Sequence, residues 1–460
     1  MFKKEVYIKR REQLKNKIKS GIILITGNVD SSMSYPANTF HFRQDSSFLY
    51  LFGLDIQNLA GVIDVDNNKE YIFGNDVDIE DIIWMGPQIS LKEKASEVGV
   101  VNTEKFNNIF DFIKNAQTKG QEIHFLPAYR SYNKVLLSEI TGFHYNEVKA
   151  KASKELIKAL VSLREIKDKY EVKELVKAAS IGYEMHTTAM KMARAGVVEQ
   201  QIAGTIEGIA LAKGAGISFP VILSQNGETL HNHNHSKVLT NGRLMLTDCG
   251  AETNMNYCSD NTRVTPIGGF TQKQKEIYEI VRAATNESIA MCKPGIYYKE
   301  VHLHAAKVIA QGLSDLGIMK ANVDDAVANG AHAMFFPHGL GHMMGLDVHD
   351  MEDYGEDFVG YDDTISRVDQ FGTAYLRLAK KLKPGFVLTV EPGIYFIPAL
   401  IEKWRKEKIN KDFINFDKLN EYLDFGGIRL EDDLLITDTF NELIGERIPI
   451  TPDEVEALLK

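Results

Sequence analysis

The sequence predicts two domains, an α/β domain followed by a larger α+β domain. Its 460 residues exceed a single core, because domains rarely grow beyond roughly 250 residues before the chain divides. In residues 1 to about 150, short β-rich runs alternate with helical stretches, which is typical of a small α/β domain. In the remainder, long amphipathic helices are separated by pairs of short strands, which favours an α+β arrangement.

The first domain is predicted from β-rich runs and two helical stretches. The helical stretches are Lys9–Lys19 and Leu91–Val98, where apolar residues recur at helical spacing. The β-rich runs combine β-branched and aromatic residues, which favour strands. We expect strands at Ile22–Thr26, Phe48–Phe52, Ala60–Val65, Tyr71–Phe73 and Ile123–Leu126.

The boundary between the domains is expected near residue 165. Apolar residues recur at helical spacing from Ser153 to about Ala195, with an interruption at Ile166. Directly after it, Asp168 followed three residues later by Glu171 is a capping box that begins a new helix. We therefore expect domains at 1–165 and 166–460.

The second domain is predicted from three long helices and four short strands. The helices show apolar residues at intervals of three and four, and the strands are short apolar runs bounded by turn residues. The expected helices are Glu199–Lys213, Gln272–Met291 and Tyr298–Leu316, and the expected strands are Arg243–Thr247, Met255–Ser259, Phe386–Val390 and Ile428–Ile436.

Composition restricts the classes of partner and compartment. The net charge is 53 − 63 = −10, which argues against nucleic acid and anionic membranes, because both reward clustered Lys and Arg. The cysteines Cys249, Cys258 and Cys292 form no Cys-x-x-Cys pair and are too few for a disulfide framework, so a reducing compartment is expected. The N-terminal residues contain no long apolar run, and we expect the protein in the cytoplasm.

Two aspartates come at or beside the ends of predicted strands. Asp248 follows the apolar strand Leu-Met-Leu-Thr, and Asp260 comes twelve residues later. That spacing suits two antiparallel strands joined through a polar turn at Glu252-Thr-Asn. The two carboxylates are therefore expected to face one another.

Two glutamates and several histidines follow in the second half of the chain. Glu391 ends a strand, and strand alternation places Arg429 and Glu431 on one face. Between these strands lies a Gly-rich segment that carries three imidazoles, His338, His342 and His349.

Cations are needed if these acids converge. A single Asp at a strand end is usually a solvated turn residue, but four buried carboxylates repel one another and lose hydration. Four carboxylates and one imidazole form a hard, oxygen-rich ligand set that suits Mn, Fe(II) or Co. Two divalent ions would contribute +4 against −4 and lower the pKa of a bound water toward neutrality.

The order of these residues resembles the aminopeptidase P and prolidase group of pita-bread metallopeptidases. The catalytic motifs are His-Gly-Leu-Gly-His, Leu-Asp-Val-His-Asp, Thr-Val-Glu-Pro-Gly-Ile-Tyr and Gly-Gly-Ile-Arg-Leu-Glu-Asp-Asp. In the first domain, Tyr35-Pro and the run from Phe42 to Gly53 resemble the group's N-terminal domain. The resemblance implies an aminopeptidase P-like α/β domain before a pita-bread catalytic domain, the fold of creatinase and methionine aminopeptidase.

The resemblance also implies a role for each site residue. The dinuclear metal ligands would be Asp248, Asp260, His342, Glu391 and Glu431, with Asp260 and Glu431 bridging the ions and Glu391 handling the proton of the attacking water. The resemblance assigns His338 and His349 to the scissile carbonyl, and it adds His231, Arg429, Tyr395 and Arg377 as residues of the substrate pocket. The metal would be Mn²⁺, with Co²⁺, Fe²⁺ and Zn²⁺ as alternatives.

The implied reaction is hydrolysis of the bond between an N-terminal residue and a following proline. His338 and His349 would stabilise the developing oxyanion, and Glu391 would pass a proton to the departing imino nitrogen. The expected partners are peptides with proline in the second position and further copies of the chain in a dimer or tetramer.

Prolidase, which cleaves Xaa-Pro dipeptides, is the alternative. The insert 397–424 between Glu391 and Glu431 resembles the longer prolidases, and Arg377 matches an arginine that holds the dipeptide carboxylate. Against this, inserts also serve oligomer contacts, and an Arg in a basic helix at 377–383 is usually a surface residue. We therefore favour aminopeptidase P.

A second alternative is a metal-free binding or scaffold relative of the same fold. Loss of a ligand would favour it, or a creatinase-like carbon–nitrogen hydrolase, but all five ligand types are present. Among the remaining motifs, only His231 of the tract His231-Asn-His233-Asn-His235 is expected in the pocket. Cys249 and Cys258 are expected as buried hydrophobes.

Overall fold

A computed structural model gives the fold of the chain and describes residues 1–459. The chain divides into two compact units. The first comprises Met1–Arg164 and Met351–Phe358, and the second comprises Glu165–Asp350 and the residues from Val359 onward. The sequence placed 351–358 in the second domain. Its assignment to the first unit follows from Tyr354, whose hydroxyl bonds Ser47 Oγ and lies 3.3 Å from Arg164 Nη1.

One five-stranded sheet forms the centre of the first unit, in the order β6-β5-β4-β1-β7. Strand β4 runs antiparallel to β1 and β5, whereas β6 and β7 run parallel to their neighbours. The strands are β1 (Ile22–Thr26), β2 (Ser32–Tyr35), β3 (Asn38–Thr39), β4 (Ala60–Asp64), β5 (Lys69–Phe73), β6 (Asn102–Glu104) and β7 (Ile123–Phe125).

Helices cover this sheet and complete its core. The apolar face of the helix at 108–118 presents Ile109 and Ile113 to Leu24, Val62 and Phe125 of the sheet. The helices are α1 (Lys4–Lys15), α2 (Ser46–Phe52), α3 (Ile79–Met85), α4 (Leu91–Glu97), α5 (Asn108–Thr118), α6 (Ser131–Thr141), α7 (Val148–Lys151) and α8 (Lys154–Arg164).

The expected strand Phe48–Phe52 is wrong, because these residues form helix α2. The Asp45 carboxylate caps this helix by accepting from the amides of Ser47 and Phe48 at 2.9 and 3.0 Å, and Gly53 ends it with φ of 65°. All seven residues of α2 are buried. In a short run that is apolar on every side, neither a period of two nor a period of 3.6 can be recognised. The strand was therefore predicted from composition alone, and composition does not distinguish it from a buried helix.

In the second unit, small antiparallel sheets are packed against long helices. Two sheets have three strands, in the orders β12-β10-β9 and β13-β16-β17, and two have two strands, β14-β15 and β11-β8. The strands are β8 (Gly216–Ile217), β9 (Ile222–Ser224), β10 (Leu244–Cys249), β11 (Ala251–Glu252), β12 (Asn261–Pro266), β13 (Val387–Val390), β14 (Gly393–Tyr395), β15 (Gly427–Arg429), β16 (Asp432–Ile436) and β17 (Asn441–Leu443).

The long helices lie close to the predicted positions, and Asp168 and Glu171 form the expected capping box. The helices are α9 (Lys169–Met192), α10 (Glu199–Lys213), α11 (Gln272–Met291), α12 (Tyr298–Asp315), α13 (Val323–Ala328), α14 (Glu356–Val359, across the division), α15 (Pro398–Glu407) and α16 (Pro452–Ala457), with 3₁₀ turns at Ala331–Met334, Glu352–Tyr354, Thr373–Tyr375 and Lys418–Tyr422. No helix within residues 1–459 combines the length and hydrophobicity that a membrane span requires.

Two strand predictions in this unit are wrong in instructive ways. The expected strand Met255–Ser259 is a turn, with Asn256 at φ of 62°, and β12 begins only after Asp260. The expected strand 428–436 is divided at Glu431, because β15 pairs with β14 whereas β16 pairs with β13 and β17. The pattern of apolar residues along the chain does not show where a strand changes its pairing partner.

The basic helix expected at 377–383 is also absent from the described residues. The backbone amides of Ala379 and Lys380 donate to Gly360 O, and that of Leu382 donates to Ile296 O. These amides pair with distant segments instead of the preceding turn. A Cβ at Gly360 would lie 1.6 Å from Arg377 O, so this close approach requires glycine.

Candidate metal centre

Strand register brings the two aspartates to one end of the sheet. In the β10–β12 pair, Asp248 lies opposite Thr262, and Asp260 directly precedes β12. The backbone N–H of Asp260 donates to Asp433 Oδ2 at 3.1 Å, which fixes the start of β12. The aspartates therefore share one edge, as their spacing suggested.

Thr262 also ties Glu431 to this edge. Glu431 N donates to Thr262 O at 3.1 Å, and Thr262 Oγ1 donates to Glu431 Oε2 at 2.7 Å. Arg263 Nη1 donates to Glu431 O at 2.7 Å from the other side. Because the strand is interrupted between β15 and β16, the Glu431 carboxylate lies against the sheet that contains β12.

His342 presents one defined ring nitrogen to the acids. Its Nδ1 lies 3.0 Å from Met343 O, and because a carbonyl only accepts, Nδ1 carries the proton. Its Nε2 lies 3.3 Å from Asp260 Oδ2 and 3.7 Å from Glu391 Oε1. This tautomer leaves the Nε2 lone pair available as a metal ligand.

The carboxylates are closely packed and buried. Ligand atoms of Asp260, His342 and Glu431 all lie within 4.8 Å of one another. Burial, followed by the negative charge of neighbouring carboxylates, raises the pKa of Asp260 and of Glu431 well above the usual values. Burial also raises the pKa of Glu391. The folded chain therefore opposes simultaneous ionisation of these acids unless positive charge is added.

The residues present fit divalent cations. Arg429 is a buried guanidinium at the cluster, with Nη2 2.5 Å from Asp248 Oδ2. The other oxygen of Asp248, Oδ1, is buried and has no hydrogen-bond partner among residues 1–459. Four carboxylates outnumber the two guanidinium groups of the cavity wall, Arg377 and Arg429, and a carboxylate oxygen without a hydrogen-bond partner is a natural ligand for a hard cation.

A cavity of about 380 Å³ opens beside the acids. This volume suits a small ligand or a few residues of a peptide. Apolar side chains and imidazoles share its wall with the five predicted ligands. The lining residues are Phe219, Pro220, Ile222, Leu230, His231, His233, Asp248, Asp260, His338, His342, Val348, His349, Tyr375, Arg377, Glu391, Arg429 and Glu431.

A chain of hydrogen bonds runs from Arg429 to His338. Arg429 Nη1 donates to the Tyr395 hydroxyl at 2.8 Å, and that hydroxyl lies 2.9 Å from His338 Nε2. His338 Nδ1 lies 2.8 Å from Gly339 O and must donate to it. Burial lowers the pKa of His338 to about 3, so its Nε2 accepts from Tyr395.

The other predicted pocket residues occupy different positions. His349 lies against His342, with ring centroids 4.1 Å apart. His231 lines the cavity, where burial and then the Arg429 charge lower its pKa. Tyr395 does not belong to the cavity wall and is fully buried behind His338.

The sequence did not single out several lining residues. Phe219, Leu230 and Val348 carry no chemical signal, because an apolar side chain on a cavity wall looks like any core residue. The sequence expected only His231 of its tract in the pocket, because only that position matches the family's motif, yet His233 lines the cavity as well. In this segment, Asn232 Oδ1 accepts from Asn234 N at 3.2 Å.

Comparisons with known proteins agree with this geometry. Residues 173–438 match metallopeptidase family M24, and residues 7–124 match the N-terminal domain of aminopeptidase P. A probable Xaa-Pro aminopeptidase of Aspergillus fumigatus is 35% identical, with 91% of this chain and 88% of the relative covered. One of Sordaria macrospora is 31% identical, with 98% and 94% covered.

Solved structures give the same result. Zn-substituted Escherichia coli aminopeptidase P in complex with product has a TM-score of 0.82 and 27% identity, covering 100% of this chain and 98% of that one. The same enzyme with the inhibitor Pro-Leu has a TM-score of 0.81, again with 27% identity and the same coverage. The expected fold class, an aminopeptidase P-like α/β domain and a pita-bread domain, is confirmed. The chain belongs to metallopeptidase family M24 and carries the N-terminal domain of aminopeptidase P.

Proposed function

We propose that the chain is an Xaa-Pro aminopeptidase, which removes one N-terminal residue from peptides with proline in the second position. The single observation that carries this proposal is the convergence of four carboxylates and His342 on one side of a cavity lined by further imidazoles. The names of the relatives, probable Xaa-Pro aminopeptidases, support the same substrate class.

The residues that would hold the metal ions in this proposal are Asp248, Asp260, His342, Glu391 and Glu431, all of which line the cavity. Two divalent cations held there would neutralise the carboxylates, activate a water molecule and polarise the scissile carbonyl. Oxygen-rich ligation supports Mn²⁺, with Co²⁺, Fe²⁺ and Zn²⁺ as alternatives. The thiols of Cys249 and Cys258 lie outside the cavity wall and are not ligands.

Glu391 is proposed to carry the proton. Cleavage before proline turns a tertiary amide into a secondary amine, so the departing nitrogen must gain a proton. The carboxylate of Glu391 lines the cavity, and the Thr389 hydroxyl lies 3.5 Å from its Oε1. A carboxylate at this place can accept the proton of the attacking water and deliver it to the departing nitrogen.

The two imidazoles divide their tasks differently from the sequence-based expectation. In this geometry, Nε2 of His338 accepts from Tyr395, so it has no proton for an oxyanion. His349 then remains the imidazole that faces the developing charge. We propose that His338 instead fixes Tyr395 and Arg429, and through them Asp248.

Removal of a single residue follows from the place of the free amine. The amine of the peptide would lie beside the ligand carboxylates, which can accept its hydrogen bonds, and a longer N-terminal extension would displace it from there. His231, Arg429 and Arg377 provide cationic or donor groups along the wall for the peptide carbonyls.

Prolidase activity is the second candidate, because Arg377 lies in the cavity wall. Burial and then the charge of Arg429 lower the pKa of His231, and the guanidinium of Arg377 adds a smaller effect in the same direction, so it lies within electrostatic reach of that ring. A cation there could hold the terminal carboxylate of a dipeptide. The insert 397–424 contributes α15 and the 3₁₀ turn Lys418–Tyr422.

The oligomer and the compartment also belong to the proposal. Helix α3 exposes Ile83 and Trp84 at 72% and 79% and buries none of its residues, which supports assembly into a dimer or tetramer. Three buried cysteines that form no disulfide support a reducing compartment, the cytoplasm.

The test combines metal analysis with peptides of graded length. Metal-depleted protein is expected to cleave Xaa-Pro-Xaa peptides only after Mn²⁺ is returned, with release of the first residue. If the protein cleaved the dipeptide Gly-Pro but no longer Xaa-Pro-Xaa peptide, it would be a prolidase. If the Mn²⁺-loaded protein hydrolysed no Xaa-Pro peptide, the chain would instead be a binding or scaffold relative.

A further inference from the structure

A buried ion pair outside the cavity holds the loop that carries His349. Lys167 Nζ lies 2.7 Å from Asp350 Oδ2, and both side chains are 1% exposed. Neither residue lines the cavity. Because Asp350 directly follows His349 in the chain, the pair acts on the backbone from which that imidazole projects.

Asp350 closes the loop from Met343 to Asp350 on itself. Its Oδ1 accepts from Asp347 N at 3.3 Å, and its own N–H donates to Met343 O at 2.9 Å. Within the loop, Gly345 N donates to Asp347 O at 3.0 Å. One carboxylate therefore sets the path of the residues between His342 and His349.

Lys167 is a rigid anchor for that carboxylate. Its backbone N–H donates to Gly385 O at 2.8 Å, and α9 begins two residues later under the capping box of Asp168. The pair also packs closely against Gly345, where a Cβ would lie 2.6 Å from Asp350 Oδ2 and 2.9 Å from Lys167 Cε. The lysine therefore has little room to move.

Stability alone does not explain a pair of this kind. Burying two charges removes their hydration, and apolar replacements of such a pair are often as stable as the pair or more so. What the pair does supply is a fixed geometry beside the metal ligands, since His349 lies with its ring centroid 4.1 Å from that of His342.

We propose that Lys167 is a positioning residue for His349, acting through its ion pair with Asp350. The pair holds the loop so that the imidazole of His349 stays against His342 and faces the cavity. The part that His349 plays in catalysis rests on the proposed function, whereas its placement by Lys167 does not.

The test replaces both charges, so that neither is left buried alone. In Lys167→Met with Asp350→Asn, the amide oxygen of the new side chain can still accept from Asp347 N. The matched control is Glu165→Gln with Lys380→Met, which removes a second buried ion pair of the same segment. Glu165 Oε2 lies 2.7 Å from Lys380 Nζ, and neither residue lines the cavity.

Crystal structures of the full-length variants give the first result. In the Lys167/Asp350 variant, His349 is expected to move about 1 Å or more from His342, whereas the control keeps the ring distance; a misplacement of that size costs about 10²-fold in rate. We therefore expect kcat on an Xaa-Pro-Xaa peptide to fall about 10²-fold with KM nearly unchanged, and the control to keep both.

A double-mutant cycle separates positioning from general damage. In a His349→Ala background, removal of the pair is expected to cause no further loss of kcat, because its effect passes through His349. An unmoved His349, or a loss that adds fully to that of His349→Ala, would overturn the proposal. If the parent cleaves no Xaa-Pro peptide, the proposed function fails, but the crystal structures still decide the placement.

A second variant covers failure of the first to fold. Lys167→Gln removes the charge but keeps a donor toward Asp350. We expect a smaller displacement of His349 and about a tenfold loss of kcat, since one charge-assisted bond becomes a neutral one. An unmoved His349 in this variant contradicts the proposal equally.

Discussion

Arg429 bonds Asp248 at 2.5 Å, Thr262 at 3.0 Å and Tyr395 at 2.8 Å, and so joins a proposed metal ligand to the next strand of its sheet and to the hydroxyl that His338 contacts. From this position it supplies positive charge to the four carboxylates of the candidate metal centre.

Replacing Arg429 by Met should cost the metal-depleted protein about 3–5 kcal/mol of unfolding free energy, because the buried charge of Asp248 loses its partner. Urea unfolding with and without Mn²⁺ measures this, and Mn²⁺ should restore more stability to the variant than to the parent. Arg447→Met is the control, since Arg447 is 30% exposed and Asp432 keeps Arg263. Equal losses in the two variants would contradict the prediction.

Gly341→Ala should abolish binding of the metal by His342. A Cβ at Gly341 would lie 2.1 Å from Thr389 O, so the segment that carries His342 must move away from β13. We expect at least about a 10²-fold loss of activity, as for a misplacement of roughly 1 Å, together with a lower Mn²⁺ affinity by calorimetry.

The matched control is Gly204→Ala on α10, where no atom lies within 4 Å of the new Cβ. In a helix this change stabilises by up to about 1 kcal/mol and should leave activity intact. Unchanged metal affinity in Gly341→Ala would show that the close approach to β13 is dispensable.

Arg377→Met distinguishes the two substrate classes. If Arg377 binds a terminal carboxylate, the variant should lose about 10-fold or more in kcat/KM on short peptide acids, the value of one charge-assisted bond. The corresponding C-terminal amides lack the carboxylate and should be affected little. A similar loss on acids and amides would show that Arg377 contacts the peptide backbone instead.

His302 makes the protein sensitive to acid. Its side chain is fully buried on α12, both ring nitrogens have no partner among residues 1–459, and burial lowers its pKa to about 3. Because the pKa of His302 in the folded state lies below the ordinary value of 6.5, this imidazole destabilises the folded state progressively as the pH falls below about 6.5, and it has no such effect above that pH.

His302→Leu should therefore remove part of the acid sensitivity. Between pH 7.5 and pH 5, the stability of the parent should fall by about 2 kcal/mol more than that of the variant, from 1.36 kcal/mol per pKa unit. Unfolding in urea at the two pH values measures this. His304→Leu on the same helix is the control for replacing an imidazole by an alkyl side chain, because His304 is partly exposed and its Nε2 lies 2.8 Å from Glu287 Oε2.

The sequence predicted the parts of the fold that depend on local pattern. Helices α10 and α11 have the expected bounds, because an amphipathic face repeats within the segment itself. The capping box at Asp168 was likewise readable, since the cap and its partner are three residues apart.

Two elements were mispredicted because their backbone pairs with distant segments. Residues 377–383 have basic helical composition, yet their amides bond Gly360 and Ile296. The strand expected through Glu431 is divided because its two halves pair with different strands. In both cases the partner lies far away in the chain, and no local signal reports it.

The sequence by itself determined the chemistry of this protein: which side chains can bind cations, in which order they come, and which family their motifs match. Only the tertiary structure decided the protonation and the orientation of these side chains. It fixed the tautomers of His338 and His342 through the carbonyls of Gly339 and Met343, and it set His349 by an ion pair formed 183 residues apart. Protonation and orientation depend on burial and on neighbours, and folding alone supplies both.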